Sequence, residues 1–329
     1  MKHLNETTNV NILSQFDIGT GYKAVVQKGN VGSKYVYALQ LRRGATTILR
    51  GYRGNNINNP ILELSGQAGG HTQTWEYAGN RIKSDGNPRS GQWFVGVKPS
   101  HNDPNYDWAK QIARIDIRYT SGSHTDNTEF PRLAFLSYAG SAPFGGDSMT
   151  HAEAAVSPDY TKLLIATIEN GETGHFTIYN LDEINRSLDN AGKGYVSLEG
   201  FPYQDSFTVS NLYGEGQDNI INSIQGFDLD NDGNIYISSQ LHPSLNGGSW
   251  TTHHKQIVKI PYYAHYDQSQ WSAVNLSAFK GLDISGHHSE VESIQIIGEN
   301  HGYLTVAYHA NVYGENKTVL NRIYELSWD

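Results

Sequence analysis

A strand–turn–strand unit recurs along this chain, and the recurrence limits the folds open to it. Its clearest copy is Ser223–Gln240, where two short runs of alternating apolar residues flank an Asn-Asp-Gly-Asn turn. Gly233 and its Asn and Asp neighbours supply the positive-φ positions that a tight hairpin needs. Ile235 and Ile237 share one face of the second strand, because strand side chains alternate with period two. A second copy opens at His151, and aligning Glu153 with Gln225 brings both turns and both following strands to the same offset. A third opens at His288 with a slightly longer turn, and a fourth at His71 with a longer hairpin before Gln92–Val97. A fifth, degraded copy is read in Tyr22–Gln27 and Lys34–Leu41. Several copies continue into a third strand, at Gln111–Ile117, His175–Tyr179, Gln256–Ile260 and Asn321–Leu326.

Units of this kind cannot bury their faces alone, so they must stack into an array. The expectation is an all-β, five-bladed β-propeller forming a single domain. Its blades are placed at residues 17–65, 71–137, 151–212, 223–279 and 288–329. The last unit runs out of chain after Trp328, whereas Val10–Phe16 alternates as a strand without a partner. That strand is expected to close the last blade and to remove two exposed edges. A sandwich or a β-helix is the competing architecture. One helix is expected near Leu181–Leu188, with Leu181, Ile184 and Leu188 on one face and Asn180 as its cap. Residues 1–10 are polar and read as frayed, Lys83–Ser90 reads as a polar turn, and Ser100–Trp108 as an irregular insertion.

Composition narrows the function. The 329 residues include 34 Gly, 21 Tyr and 6 Trp, which suits many strands and many turns. A net charge of −9, with the acidic residues dispersed, leaves no basic patch for phosphate, so nucleic acid is excluded as a partner. The absence of cysteine excludes disulfides, thiolate metal sites and a cysteine nucleophile. No apolar run reaches the roughly 18–20 residues of a membrane span, and Met1–Val10 shows no export-signal core.

Three sets of residues are candidates for chemistry. The first opens the repeats: His71 and Gln73, His151 and Glu153, Gln225, and His288 with Glu290 and Glu292. Residues two apart on a strand share a face. On innermost strands these side chains would all turn toward the central channel, where imidazoles and carboxylates can hold a cation, water or an acid/base pair. The plainer reading is a polar channel lining satisfied by its own groups and by water. The second set is Asp228, Asp230 and Asp232, whose spacing before Gly233 resembles the start of a calcium loop. The twelfth position is Ser239 instead of Glu, however, and Asp and Gly are also what the turn needs. The third is Trp250, in a Gly/Ser/Thr-rich loop, the best placed tryptophan for an exposed sugar-stacking surface. No cofactor follows firmly from these patterns; calcium or another cation is the one candidate. The chain shows no nucleophile elbow, no zinc-protease motif, no phosphate loop and no dinucleotide fingerprint, so no catalytic residue is assigned and enzymatic activity is not the favoured reading.

Over essentially its whole length the chain resembles the helveticin J family, large heat-labile class III bacteriocins of lactobacilli. The likeness is carried by Met1–Val10 (MKHLNETTNV), Gly66–Glu76 (GQAGGHTQTWE), His151–Tyr160 (HAEAAVSPDY), Asp228–Gln240 (DLDNDGNIYISSQ), His254–Ala264 (HKQIVKIPYYA) and His288–His301 (HSEVESIQIIGENH). It implies a secreted antibacterial toxin acting on related Gram-positive bacteria, and it brings no established active site. Relatives also lack a readable signal peptide. The function expected from the resemblance is killing through binding of an envelope glycan or surface protein receptor, without known catalysis. The alternatives are a glycan-cleaving hydrolase drawing on Glu153, Glu290 and Glu292, and a lectin-like surface scaffold.

Overall fold

In the computed structural model, residues 4–82, 88–89, 91–214 and 216–329 are described. The turn expected at Lys83–Ser90 lies for the most part outside them. Strands dominate, arranged as five sheets of four or five strands, the blades of a five-bladed β-propeller. By Cα proximity the chain forms two compact units, Met1–Leu41, Leu49–Asn59 and Tyr213–Asp329 in the first, Arg42–Ile48 and Pro60–Leu212 in the second.

In the first unit, the hairpin read from Asp228–Gln240 is present. Strands Gly226–Leu229 and Ile235–Ser239 pair antiparallel around Gly233, whose φ of 86° only glycine adopts without strain. Gln256–Ile260 and Ser272–Asn275 extend that sheet. The last sheet is built from His288–Gly298, His301–Val312 and Glu315–Trp328, in order and antiparallel. Val10–Asp17 then pairs antiparallel with Glu315–Trp328, from Val10 opposite Trp328 to Asp17 opposite Arg322. The expected closure by the N-terminal strand therefore holds. Along that strand exposure alternates residue by residue, with Val10, Ile12, Ser14 and Phe16 on the half-buried face. Val10 and Ile12 pack on the core of Leu304, Val306, Tyr324 and Leu326, while Phe16 packs on that of Val26, Leu49 and Ile323.

In the second unit, strands Gln92–Pro99 and Ala109–Asp116 pair with each other and with Trp75–Tyr77 and Arg132–Ala134. Met149–Val156, Lys162–Glu169, Thr173–Asn180 and Asp205–Val209 form the neighbouring sheet in chain order. The expected helix spans Leu181–Ala191; the Asn180 side chain accepts the Glu183 N–H at 3.1 Å, and Gly192 follows its last turn. Leu181, Ile184 and Leu188 are fully buried against Leu133, Leu163 and Tyr179, which stabilises by about 1.5–3 kcal/mol per side chain. On the same helix Asn185 and Asp189 bind the buried Arg114 guanidinium, the latter at 2.5 Å.

Three short strands escape the repeat pattern, and each pairs parallel with an outermost strand. Gly122–His124 pairs with Asn59–Leu64, Tyr195–Ser197 with Arg132–Ala134, and Asn5–Thr7 with Ser272–Val274. Residues 5–7, expected to fray, are thus held in a sheet, because covering an open edge satisfies backbone groups otherwise left to solvent or to another chain. A chain beginning at residue 18 loses both N-terminal strands and three half-buried apolar anchors. We expect a loss of about 3–5 kcal/mol and a fall in Tm of roughly 4–7 °C, with self-association through the bared Arg322–Trp328 edge. Scanning calorimetry and size-exclusion chromatography check this; an unchanged Tm in a monomeric truncated chain contradicts it.

Candidate functional site

The repeat-opening residues fall into two clusters, one in each unit. In the first unit the strand His288–Gly298 carries His288, Glu290 and Glu292, with a β-bulge after Val291. The neighbouring strand places His309 directly opposite His288. His242 arrives from the segment after strand Ile235–Ser239. Both imidazoles converge on a single carboxylate oxygen: His242 Nδ1 and His309 Nε2 each lie 2.8 Å from Glu290 Oε2. The two rings meet edge to face, centroids 4.7 Å apart. Gln225 Nε2 points to the other Glu290 oxygen at 3.4 Å and donates to the Gln240 carbonyl at 2.7 Å. The buried Gln240 amide grips the strand on either side of Glu290, donating to Ser289 O and accepting from Val291 N, each at 2.8 Å.

Electrostatics in this cluster follow from burial and pairing. Burial alone raises a carboxyl, yet the hydrogen bonds from His242 and His309 hold Glu290 down at about 2. The partnership with Glu290 raises His242 in return. Glu292, wholly buried and hydrogen-bonded to Glu290, is pushed far up by desolvation and by that neighbouring charge. Burial and pairing thus drive the two adjacent carboxyls in opposite directions, Glu290 down and Glu292 up.

Trp250 belongs to this cluster. The sequence placed it in an exposed loop; instead it sits half-buried in a two-stranded hairpin, Ser244–Asn246 with Ser249–Thr251, stacked on His288 with ring centroids 4.0 Å apart and planes 21° off parallel. His242 leads into that hairpin, and its side chain keeps 52% of its surface exposed. The open side of the cluster is thus edged by His242, His288 and Trp250.

In the second unit Glu153 plays a closed role. One oxygen accepts from Gln73 N at 2.9 Å and lies 3.1 Å from His151 Nε2; the other accepts from the hydroxyls of Thr72 and Thr74. His151 lies flat on Trp108, centroids 3.5 Å apart. His71 meets the same indole edge-on at 4.2 Å and is flanked by Tyr106. Its Nδ1 is buried with no hydrogen-bond partner among the described residues. Trp108 and Tyr106 come from the irregular insertion, whose role the sequence did not disclose.

The aspartates of the turn divide. Asp230 is consumed by its own hairpin, accepting from Asp232 N, Asn234 N, Asn234 Nδ2 and Tyr236 OH. Asp228 is buried and accepts Ile296 N at 2.6 Å, tying its strand to the adjacent sheet. Asp232 alone is exposed. It borders a pocket of about 350 Å³ that sequence reasoning missed, formed with Asn234, Lys259, Tyr262, Tyr263 and Glu299. Lys259 pairs with Glu299 at 2.7 Å inside it. Tyr263 is 73% exposed and Tyr262 41%, each a large exposure for an aromatic. The signal was present in Pro261-Tyr-Tyr, two aromatics after a proline that ends a strand.

Comparison with known proteins places the chain. The family model described as bacteriocin helveticin-J matches residues 6–329. The helveticin-J bacteriocin of Lactobacillus helveticus is 70% identical over 334 residues, covering 100% of both chains. Among solved structures, the PQQ-bound aldose sugar dehydrogenase of Streptomyces coelicolor shares 13% identity at a TM-score of 0.40, covering 97% of this chain and 98% of that one. An α-L-arabinofuranosidase of Podospora anserina shares 9% identity at a TM-score of 0.42, covering 98% of each. Likenesses this distant say nothing about what this chain binds or catalyses.

His71 yields a pH prediction. Burial, reinforced by the neighbouring His151, depresses it to about 3 from the ordinary 6.5. The unfolded chain accepts a proton there that the folded chain refuses. The resulting stability is complete above pH 6.5 and is lost as pH falls toward 3, by about 2 kcal/mol at pH 5. His71→Gln should therefore lose about 2 kcal/mol less than the parent between pH 7.5 and pH 5 in denaturant unfolding. Equal losses contradict the assignment.

Proposed function

The chain belongs to the helveticin-J family of bacteriocins, and from that premise we propose that it acts outside the producing cell by binding a saccharide of the target envelope at the tyrosine-edged pocket. The observation that carries the reading is the pocket's composition. Sugars offer apolar C–H faces and a ring of hydroxyls. Two exposed tyrosines supply faces for the former, while the Asp232 and Glu299 carboxylates supply acceptors and the Lys259 ammonium a donor for the latter. Carboxylates at the rim and a net charge of −9 favour a neutral sugar over an anionic polymer. No helix of the described residues is long and apolar enough to cross a membrane.

Hydrolysis draws less support. Glycosidases set two carboxyls about 5–9 Å apart across the bond they cleave, whereas Glu290 and Glu292 hydrogen-bond each other and are buried. Glu153 is ringed by donors from its own unit.

Tyr263→Ala removes a largely exposed side chain and Tyr262→Ala a partly exposed one, so both variants are expected to fold, which their Tm checks. Each is expected to weaken binding to sensitive cells and to isolated wall saccharide by about tenfold, the ~1–2 kcal/mol of a lost contact platform, with killing reduced in step. Cell-binding isotherms and survival counts measure both. Unaltered binding and killing in the double variant overturn the pocket assignment. Binding that is abolished by protease treatment of the cells, and not by removal of wall saccharide, replaces the sugar with a surface protein.

A further inference from the structure

The Glu290 cluster has a property that the saccharide reading does not use. His242, Glu290 and His309 each present one ligand atom, and these atoms lie within 4.8 Å of one another. They come from three separate segments: the stretch before the Trp250 hairpin, the opening strand of the last sheet, and the strand facing it. We propose that His242 Nδ1, His309 Nε2 and Glu290 form a binding site for a zinc-class divalent ion.

The donor set selects the ion. Two imidazoles and one carboxylate match zinc and its transition-metal neighbours, while calcium and magnesium take oxygen ligands. Three protein ligands leave one coordination position for water or an incoming ligand, the pattern of an open zinc site. The His–Glu contacts of 2.8 Å must widen to roughly 3.3 Å to admit an ion bonded at ~2.0–2.1 Å. His242, half-exposed and borne on an irregular segment, can make that move.

Outer contacts on the ligands are also in place. Gln240 fixes the backbone on both sides of Glu290, and Glu292 hydrogen-bonds its carboxylate. Thr318 Oγ1 lies 3.5 Å from His309 Nδ1, and Asn316 Nδ2 lies 3.0 Å from His242 Nε2. Zinc takes the lone pairs of His242 Nδ1 and His309 Nε2, so each ring keeps its one proton on the opposite nitrogen. For His242 that proton needs an acceptor. Turning the Asn316 amide offers it that residue's oxygen, buried and without a hydrogen-bond partner among the described residues, at the loss of the bond Asn316 Nδ2 now gives Pro243 O at 2.8 Å. Such outer partners orient metal-bound imidazoles in general.

The test uses full-length protein stripped with chelator and dialysed. Titration with ZnCl2 by calorimetry should show one equivalent bound and a rise in Tm. Co2+ should give the visible bands of a tetrahedral ion, and Zn2+ should displace it. His242→Ala and Glu290→Gln should weaken zinc by on the order of 100-fold or more, and Asn316→Ala by roughly 10–100-fold. Glu290→Gln risks misfolding at a buried position; His242→Ala, at a half-exposed one, keeps the test decisive. Absence of zinc binding by the parent overturns the proposal. So does undiminished binding by His242→Ala, which puts the ion elsewhere, or a response to Ca2+ with none to Zn2+. None of these outcomes bears on Tyr262 and Tyr263, so this site and the saccharide pocket fail or stand separately.

Discussion

A stack of β-sheets is limited by its edges, and in this chain the decisive edge is the Glu315–Trp328 strand. Without Val10–Asp17 alongside, the outer edge of that strand from Arg322 to Trp328 would face solvent unpaired. Pairing the first long strand with the last settles that, and it fixes much else. The last sheet becomes four-stranded, and at the opposite end from Val10–Asp17 lies His288–Gly298, in register with His301–Val312. That strand carries His288, Glu290 and Glu292. The sheet that carries this chemistry is thus completed by a contact between residues more than 300 positions apart in sequence.

The two carboxylates at matching places in the repeat show how one pattern serves different ends. Glu153 and Glu290 each stand two residues after a histidine that opens a unit. Glu153 accepts from a backbone amide and two hydroxyls beside an imidazole, donors that hold one segment against another. Glu290 sits with one oxygen between two imidazoles, beside a neighbouring carboxyl that burial and the Glu290 charge push up. The first arrangement is a bracket. The second gathers titratable groups beside a half-exposed histidine and a stacked tryptophan, the local conditions in which ligands and ions are taken up.

Much of this was legible beforehand, for identifiable reasons. Period-two alternation and Asn/Asp/Gly turns announced the hairpins. A strand without a partner at Val10–Phe16 and a missing strand after Trp328 announced the closure. Leu181, Ile184 and Leu188 announced the helix. Apart from the Pro261-Tyr-Tyr run, what escaped had no local signature. The parallel edge strands are three residues long, too short for a pattern. His309 faces His288 only because β-bulges shift the register between their strands, and a bulge is invisible in a list of residues. His242 reaches Glu290 from an irregular segment. Trp250 was read as exposed because Gly and Ser surround it, yet the hairpin folds it onto His288. The tyrosine pocket depends on where the turn of one hairpin falls against the strand ends of its neighbours, which sequence spacing does not encode.

Hydrogen–deuterium exchange across the N-terminal strand bears most directly on this account. If Val10–Asp17 completes the last sheet, its amides that face Glu315–Trp328 exchange as slowly as those of Glu315–Trp328 itself, and the amides between them exchange fast. Exchange of all of Val10–Asp17 at unprotected rates, with Glu315–Trp328 still slow, would mean that the two ends of the chain do not meet.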